Sequence, residues 1–254
     1  MTSIFEVILI MKKTVLITGA SRGIGQQTAL LLGQNGFNTV INYLSNEKTA
    51  NETVDYLKKC GCDAISLKAD VSNRNDVDMM VDTVLKKYGQ IDVLVNNAGI
   101  AQQKLFVDIS EEEWEKIFNV NVKGTFNCSQ AVLPHMIHQK NGKIINVSSV
   151  WGICGASCEV HYSAAKAAII GMTKALAKEM GPSNIKVNCI APGVIQTDMN
   201  SMLDSQTIES LKEETPLGVI GTTLDVAQAI MFLASDKSDF ITGQVISPNG
   251  GFVI

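Results

Sequence analysis

Tyr162-Ser-Ala-Ala-Lys166 sets a phenol and an ammonium four residues apart, so a helix would present both on one face. A free phenol ionises near pH ~10, too high for ready proton exchange at neutrality. A neighbouring ammonium favours the phenolate and lowers that value. The pair suits general acid/base work in which Tyr162 gives a proton to a carbonyl oxygen as hydride arrives, or takes it back in reverse. The spacing alone is common on helices, and its context strengthens it. Asn146-Val-Ser148-Ser149 ends a β-branched run 13 residues before Tyr162. A serine at the carboxyl end of a strand lies where open α/β sheets bind ligands, and it can hold a substrate oxygen by hydrogen bonding.

A second constellation lies near the N-terminus. Thr14-Val-Leu-Ile17 reads as a strand that runs into Thr18-Gly19-Ala20-Ser21-Arg22-Gly23-Ile24-Gly25, which opens a helix. The glycines allow a sharp turn and a close approach to pyrophosphate, and the helix N-terminus supplies unpaired N–H groups. A dinucleotide is expected there. An acid at the end of the second strand would bind the ribose 2′-hydroxyl of NAD, but Asn42-Tyr-Leu-Ser45-Asn46 holds none before Glu47. Arg22 and Ser45 are suited to a 2′-phosphate, so NADP(H) is expected over NAD(H). The plainer alternative for Arg22 is a solvated loop charge.

These groups need a frame. Short apolar runs at 14–17, 39–42, 64–68, 91–95, 143–147 and 186–190 alternate with helical patterns over 24–34, 46–60, 73–88, 111–139 and 161–180. Continuous apolar strands between amphipathic helices imply an α/β, doubly wound parallel sheet with helices on both faces. With no linker or repeat in view, residues 11–254 are expected to form one dinucleotide-binding oxidoreductase domain that contains the catalytic site. Residues 1–10 read as an N-terminal extension that carries Glu6, lacks a basic region, and is too short to span a bilayer.

Composition narrows the classes. Of 254 residues, 46% are hydrophobic and 18% charged, which supplies a core, and the net charge of −4 argues against a nucleic-acid partner. The six cysteines form no C-x-x-C pair and read as reduced thiols. No apolar stretch is long enough for a membrane span, and a cytoplasmic protein is expected. His135 and His138 have no third ligand nearby in sequence, so they read as surface residues and no metal is expected.

On these residues the chain resembles the short-chain dehydrogenase/reductase family over essentially its whole length. The matching motifs are the glycine loop, Asp70-Val71, Asn96-Asn-Ala-Gly99, Asn119-Val-Asn121, Ser149, Tyr162 with Lys166, and Pro192-Gly193 leading to Thr197. The resemblance implies a seven-stranded sheet, with the last strand near 241–246, and a homotetramer. It assigns Ser149 to polarise the carbonyl and Tyr162 to exchange the proton. Lys166 would lower the tyrosine pKa and hold the nicotinamide ribose, and Asn121 would anchor a relay water. Asp70 and Val71 would contact adenine, Asn97, Ala98 and Gly99 would line the cofactor cleft, and Ile195 and Thr197 would hold the carboxamide.

Within the family the chain looks most similar to 3-oxoacyl-[acyl-carrier-protein] reductases, through Thr197-Asp-Met199, Glu214-Thr-Pro-Leu-Gly218 and Ile241-Thr-Gly-Gln-Val245. That implies a carbonyl on an acidic carrier protein, for which Lys140 is an expected basic contact, whereas Ser183 stands where a second basic residue is common. The loop Trp151-Gly with Gly155-Ala-Ser-Cys-Glu-Val160 is instead similar to reductases whose ketone is carried on a lysine modification of elongation factor P. Trp151 is either a substrate platform or a loop anchor. The amphipathic stretch 200–212, with Met202, Leu203, Ile208 and Leu211, reads as a substrate lid or as ordinary packing. Sugars and small ketones remain alternative substrates. A catalytically idle NADP(H)-sensing protein and a partner-binding subunit are the readings from other classes; the presence of Asn121, Ser149, Tyr162 and Lys166 together disfavours the idle one.

Overall fold

The computed structural model describes residues 12–197 and 205–254. The N-terminal extension therefore lies outside the described residues. β1 (Thr14–Ile17) is wholly buried and its side chains divide between two cores. Val15 and Ile17 pack with Ala29 and Leu32 of α1 (Gly23–Gln34) and with Val226 and Ile230 of α9 (Thr223–Ala234). Leu16 faces the other way, onto Val77 and Val84 of α3 (Arg74–Tyr88) and Val132 and Met136 of α5 (Gly124–Gln139). Alternate residues of one strand thus supply both helical layers, which is why the run is apolar throughout.

β2 (Asn38–Tyr43), α2 (Glu47–Lys59), β3 (Ala64–Lys68) and β4 (Val93–Asn96) follow as expected. So do β5 (Gly142–Val147), α7 (Val160–Met180) and β6 (Ile185–Ile190). The seven strands are parallel in the order β3-β2-β1-β4-β5-β6-β7. The chain winds outward from β1 to β3, then returns to lay β4 on the other side of β1. That reversal opens a crevice at the carboxyl ends of the strands.

Five elements differ from expectation. The helical run 111–139 is α4 (Glu111–Phe118) and α5 joined by a π-turn at Asn119–Lys123. β7 is only Val245–Ile246, because Gly243 adopts φ 71° and ends the extended run. Thr242 Oγ1 and Asn188 Oδ1 accept from Val187 N and Gln244 N there, each at 3.0 Å, in place of ladder bonds. A one-turn helix, α6 (Trp151–Cys154), was not anticipated. Neither was α9, whose signal is a capping box formed by Thr222 and Asp225 ahead of an apolar stripe. α8 (Ser205–Glu213) covers only the later part of the stretch expected as a lid, since 198–204, with Met202 and Leu203, lie outside the described residues.

His135 departs from its surface reading: it is half-buried, its Nε2 is enclosed without a partner, and burial lowers its pKa against the pull of Asp92. His138 is exposed. Among the described residues no cluster could hold a metal, all six cysteines are free, and no helix is long and apolar enough to cross a membrane.

A buried polar chain ties β4, β5 and α7 together. Asn96 Nδ2 donates to Ser129 Oγ at 3.0 Å and to Asn146 Oδ1 at 2.9 Å, and Asn146 Nδ2 donates to Thr173 Oγ1 at 2.9 Å. Asn146 is fully buried, so Asn146→Ala would take one partner from each of two enclosed groups, leaving Asn96 Nδ2 only Ser129 and Thr173 Oγ1 only Ile169 O. We expect it to lose about 1–3 kcal/mol of stability, measured by denaturant midpoint.

Candidate active site

A cleft of about 1370 Å³ fills the crevice at the carboxyl edge. Its floor is the loop between β1 and α1. The chain turns there through Gly19 at φ 60°. A Cβ at Gly19 would come within 2.7 Å of the Ala98 backbone, and one at Gly25 within 2.5 Å of Asn97 Nδ2. Only glycine allows the loop to close this tightly on the exit of β4. Asn97 Nδ2 donates to the carbonyls of Thr18 and Gly19 at 3.0 and 3.1 Å, and Asn42 Oδ1 accepts from Gly19 N at 3.1 Å.

Gly23 is different, because a Cβ there would meet only Thr197 Cγ2, at 3.9 Å. Its backbone faces the open cleft. α1 begins without a side-chain cap, so its first-turn N–H groups are left for an anion. This uncapped helix start and open glycine backbone fit the pyrophosphate of a nicotinamide dinucleotide.

The expected cofactor residues fall into place around it. Gly19, Ser21, Arg22, Gly23, Ile24 and Ser45 line one end of the cleft, with Gly25 packed behind. Asp70 and Val71 follow, held by a turn in which the Ser72 hydroxyl donates to Asp70 Oδ1 at 2.7 Å. Asn97, Ala98, Gly99, Ile195 and Thr197 line the middle. The acid after β2, Glu47, does not line the cleft; burial raises the Tyr43 pKa and the Glu47 charge adds to the rise.

At the far end Ser149, Tyr162 and Lys166 meet. Lys166 is 4% exposed, its Nζ donates to Val147 O at 2.9 Å, and it lies 5.5 Å from the centre of the Tyr162 ring. Burial pulls the Lys166 pKa down to about 8, with only a small opposing effect from Cys189. Burial also raises the Tyr162 pKa, the Glu159 carboxylate adds to the rise, and a hydrogen bond with Ser149 opposes it. The phenol is therefore neutral across the physiological range. α7 carries both residues and is docked by Ser148 Oγ, which donates to Lys166 O at 2.8 Å. Gly152 lets the segment after β5 pack against it, since a Cβ there would lie 2.7 Å from the Lys166 backbone.

Asn121 sits in the π-turn, fully buried. Its Nδ2 donates to Ile100 O and Ile117 O, both at 2.9 Å, while its Oδ1 has no partner. A Cβ on Gly99 would fall 2.6 Å from that oxygen and 3.3 Å from Lys166 Nζ. The orphaned acceptor and the buried ammonium thus flank the same glycine. π-turns of this kind recur at functional sites, where they re-aim one side chain.

Trp151 lines the cleft and packs edge-on to Phe252 at 5.5 Å, the contact of a loop anchor. Thr207 and Leu211 of α8 also reach the cleft. Sequence reasoning missed Asn42 and Glu159. The first was noted only for not being an acid, and the second only as part of a loop. Lys140 caps the C-terminus of α5 at the amino end of β5, whereas Ser149 follows its carboxyl end. Six residues at roughly 3.3 Å each put about 20 Å between them, so within one chain Lys140 is not at the mouth.

The comparisons agree with this architecture. A family model described as enoyl-(acyl carrier protein) reductase matches residues 19–253. The chain is 42% identical over 241 residues to a 3-oxoacyl-[acyl-carrier-protein] reductase of Staphylococcus aureus, covering 95% of this chain and 98% of that one. It is 46% identical over 247 residues to the enzyme of the same name from Thermotoga maritima, again covering 95% and 98%. The Chlamydia muridarum counterpart is 42% identical over 243 residues.

The glycine loop predicts its own test. Gly25→Ala pushes a methyl into Asn97 Nδ2 and Gly19 O, so dinucleotide binding should weaken at least tenfold by calorimetry while the fold persists. Unchanged affinity would mean that the loop does not hold the dinucleotide. The chain belongs to the short-chain dehydrogenase/reductase family and is an oxidoreductase acting on a hydroxyl or keto group with a nicotinamide cofactor.

Proposed function

We propose that the chain is an NADP(H)-dependent ketone reductase whose substrate is a 3-oxoacyl thioester on an acyl carrier protein. The observation that carries the reaction is the meeting of the Ser149 and Tyr162 side chains at one end of the cleft, beside a buried lysine whose Nζ donates to Val147 O. A substrate oxygen placed between two hydroxyls is polarised by both. The bound nicotinamide supplies the hydride. Tyr162 donates its proton to the oxygen, which becomes strongly basic as the carbonyl is reduced. A phenol kept neutral by burial is in the right form for that donation. Lys166 and a water on Asn121 Oδ1 return the proton from solvent.

NADP(H) is supported by the end of β2. Ser45 is exposed and lines the cleft together with Arg22, and the acid after β2, Glu47, does not line it. A 2′-phosphate would meet a cation and a hydroxyl, without a carboxylate to repel it. The 3-oxoacyl thioester is supported by the names of the curated relatives, and the homotetramer is carried with it as the assembly expected from the family.

One observation favours a second reading. The mouth of the cleft carries Glu111, Glu112, Glu115 and Glu159 against Lys116, which suits an acidic carrier protein poorly. A ketone on a basic partner, such as the lysine-borne ketone of elongation factor P, matches this charge better.

Two measurements check the reaction. With an acetoacetyl thioester, NADPH should be oxidised far faster than NADH, and Tyr162→Phe should lose on the order of 10²–10⁴ in kcat/KM; retention of activity in that variant would refute the role of Tyr162. The pH profile follows from the shifts. Tyr162 stays protonated as pH rises because its pKa is raised, whereas Lys166 loses its charge through about pH 8. Reduction should therefore hold steady below pH 8 and fall above it, and a profile flat well into the alkaline range would remove Lys166 from the proton path.

A further inference from the structure

The segment 100–104 after β4 belongs to no helix or strand, so side chains fix its path. Three consecutive residues clip it to residues 158–161 at the start of α7. Lys104 N donates to Cys158 O at 2.7 Å, Gln103 Nε2 donates to Glu159 Oε1 at 3.2 Å, and Gln102 Oε1 lies 3.1 Å from His161 Nε2. From the other side Glu113 of α4 accepts from Gln102 Nε2 and from Lys104 Nζ, each at 2.7 Å. Two residues before the clip, the Ile100 carbonyl accepts from Asn121 Nδ2 at 2.9 Å. One short segment thus holds Asn121 at one end and the neighbour of Tyr162 at the other.

Charge decides how His161 takes part. The hydrogen bond from Lys104 holds the Glu113 pKa down to about 2, so the carboxylate is ionised and can only accept. Gln102 must therefore turn its NH2 to Glu113 and its oxygen to His161, which makes His161 Nε2 the donor. Nδ1 is then the bare nitrogen of a neutral ring, enclosed with no partner among the described residues. A proton there would be a buried donor with nothing to meet. Burial lowers the His161 pKa accordingly, with the Glu113 charge pulling the other way and Lys104 adding to the fall. His161 is fully buried and does not line the cleft, so it acts through what it holds.

We propose that His161 is a positioning residue for proton return: its Nε2–H pins Gln102, and through the segment 100–104 it fixes the Ile100 carbonyl and the aim of Asn121 Oδ1. The inference rests on the proton path through Asn121 and Lys166 given above, and adds the residue that sets its geometry. Asn121 Nδ2 has two carbonyl acceptors, Ile100 O and Ile117 O. Ile117 is held by α4, whereas Ile100 is only as fixed as its segment. Losing the pin loosens one acceptor and lets the amide turn, which carries Oδ1 away from the glycine, Gly99, that it shares with Lys166 Nζ. The β1–α1 loop takes no part in the clip, so cofactor affinity should persist while the proton returns more slowly.

The test uses NADPH and a ketone that the wild type turns over. His161→Leu removes the donor from an apolar setting, Gln102→Met breaks the same bond from its other partner, and His161→Gln returns an amide N–H near the Nε2 position. The first two should lower kcat by about 10- to 100-fold, the scale of a misplaced group. They should also raise the solvent deuterium isotope effect on kcat, and leave NADPH affinity by calorimetry unchanged. His161→Gln should recover most of kcat. In an Asn121→Ala background His161→Leu should cause no further loss. An isotope effect equal to that of the wild type in both variants, or a full additional loss in the Asn121→Ala background, would overturn the proposal. A silent Asn121→Ala would sink the proton path and this proposal with it, whereas an impaired Asn121→Ala beside a fully active His161→Leu would sink the role of His161 alone. Imidazole nitrogen NMR gives a reading independent of turnover. The signals missing from His161→Gln should show Nε2 protonated and Nδ1 bare at neutral pH, and a proton on Nδ1 would contradict the pin.

Discussion

Desolvation of one phenol and one ammonium is the constraint around which the rest of the structure is arranged. Tyr162 and Lys166 are 8% and 4% exposed, and burial moves their pKa values in opposite directions, each toward the neutral form. The buried lysine is tolerated because its Nζ meets a backbone carbonyl, and the Ser149 hydroxyl beside Tyr162 opposes the rise in its pKa. Neither arrangement survives if α7 slides along the sheet. The Ser148–Lys166 bond, the contact at Gly152 and the Asn96–Asn146–Thr173 chain hold it in register. The neutral phenol is the protonation state that can donate a proton.

The same edge of the sheet handles charge in two ways. At the β1–α1 end, glycines bring backbone N–H groups to the cleft and Glu47, the acid after β2, does not line it, so the local chemistry accepts anions. At the α4–α7 end, carboxylates line the mouth and the half-buried Glu159 faces the reacting phenol. An anionic dinucleotide belongs at the first end. Among the described residues at the second end, Glu111, Glu112, Glu115 and Glu159 outnumber Lys116.

Much of this was legible in the residues. The strands could be placed because burial on both faces demands continuous apolar runs. The glycine loop could be placed because close backbone approach excludes a Cβ at Gly19 and Gly25. Tyr162, Lys166 and Ser149 follow from helix spacing and from the position of a strand end. What escaped depends on contacts between distant segments. The π-turn that aims Asn121 has no local signature, and β7 is cut short by bonds from Thr242 and Asn188 rather than by composition. Lys140 seemed near the mouth because it lies close to Ser149 in sequence, yet a whole strand separates them. Glu159 was hidden for the opposite reason: one carboxylate in a loop is ordinary until the fold turns it toward a phenol.

The most direct test of the central claim is an absorbance titration of tyrosinate in the cofactor-free protein, wild type against Tyr162→Phe. The difference between the two isolates Tyr162 from Tyr43, Tyr56 and Tyr88. The account predicts no ionisation of Tyr162 at or below the free-phenol value of ~10. A tyrosine that titrates near neutrality in the wild type and is missing from the variant would contradict it, because the site would then hold a ready phenolate suited to taking protons from alcohols.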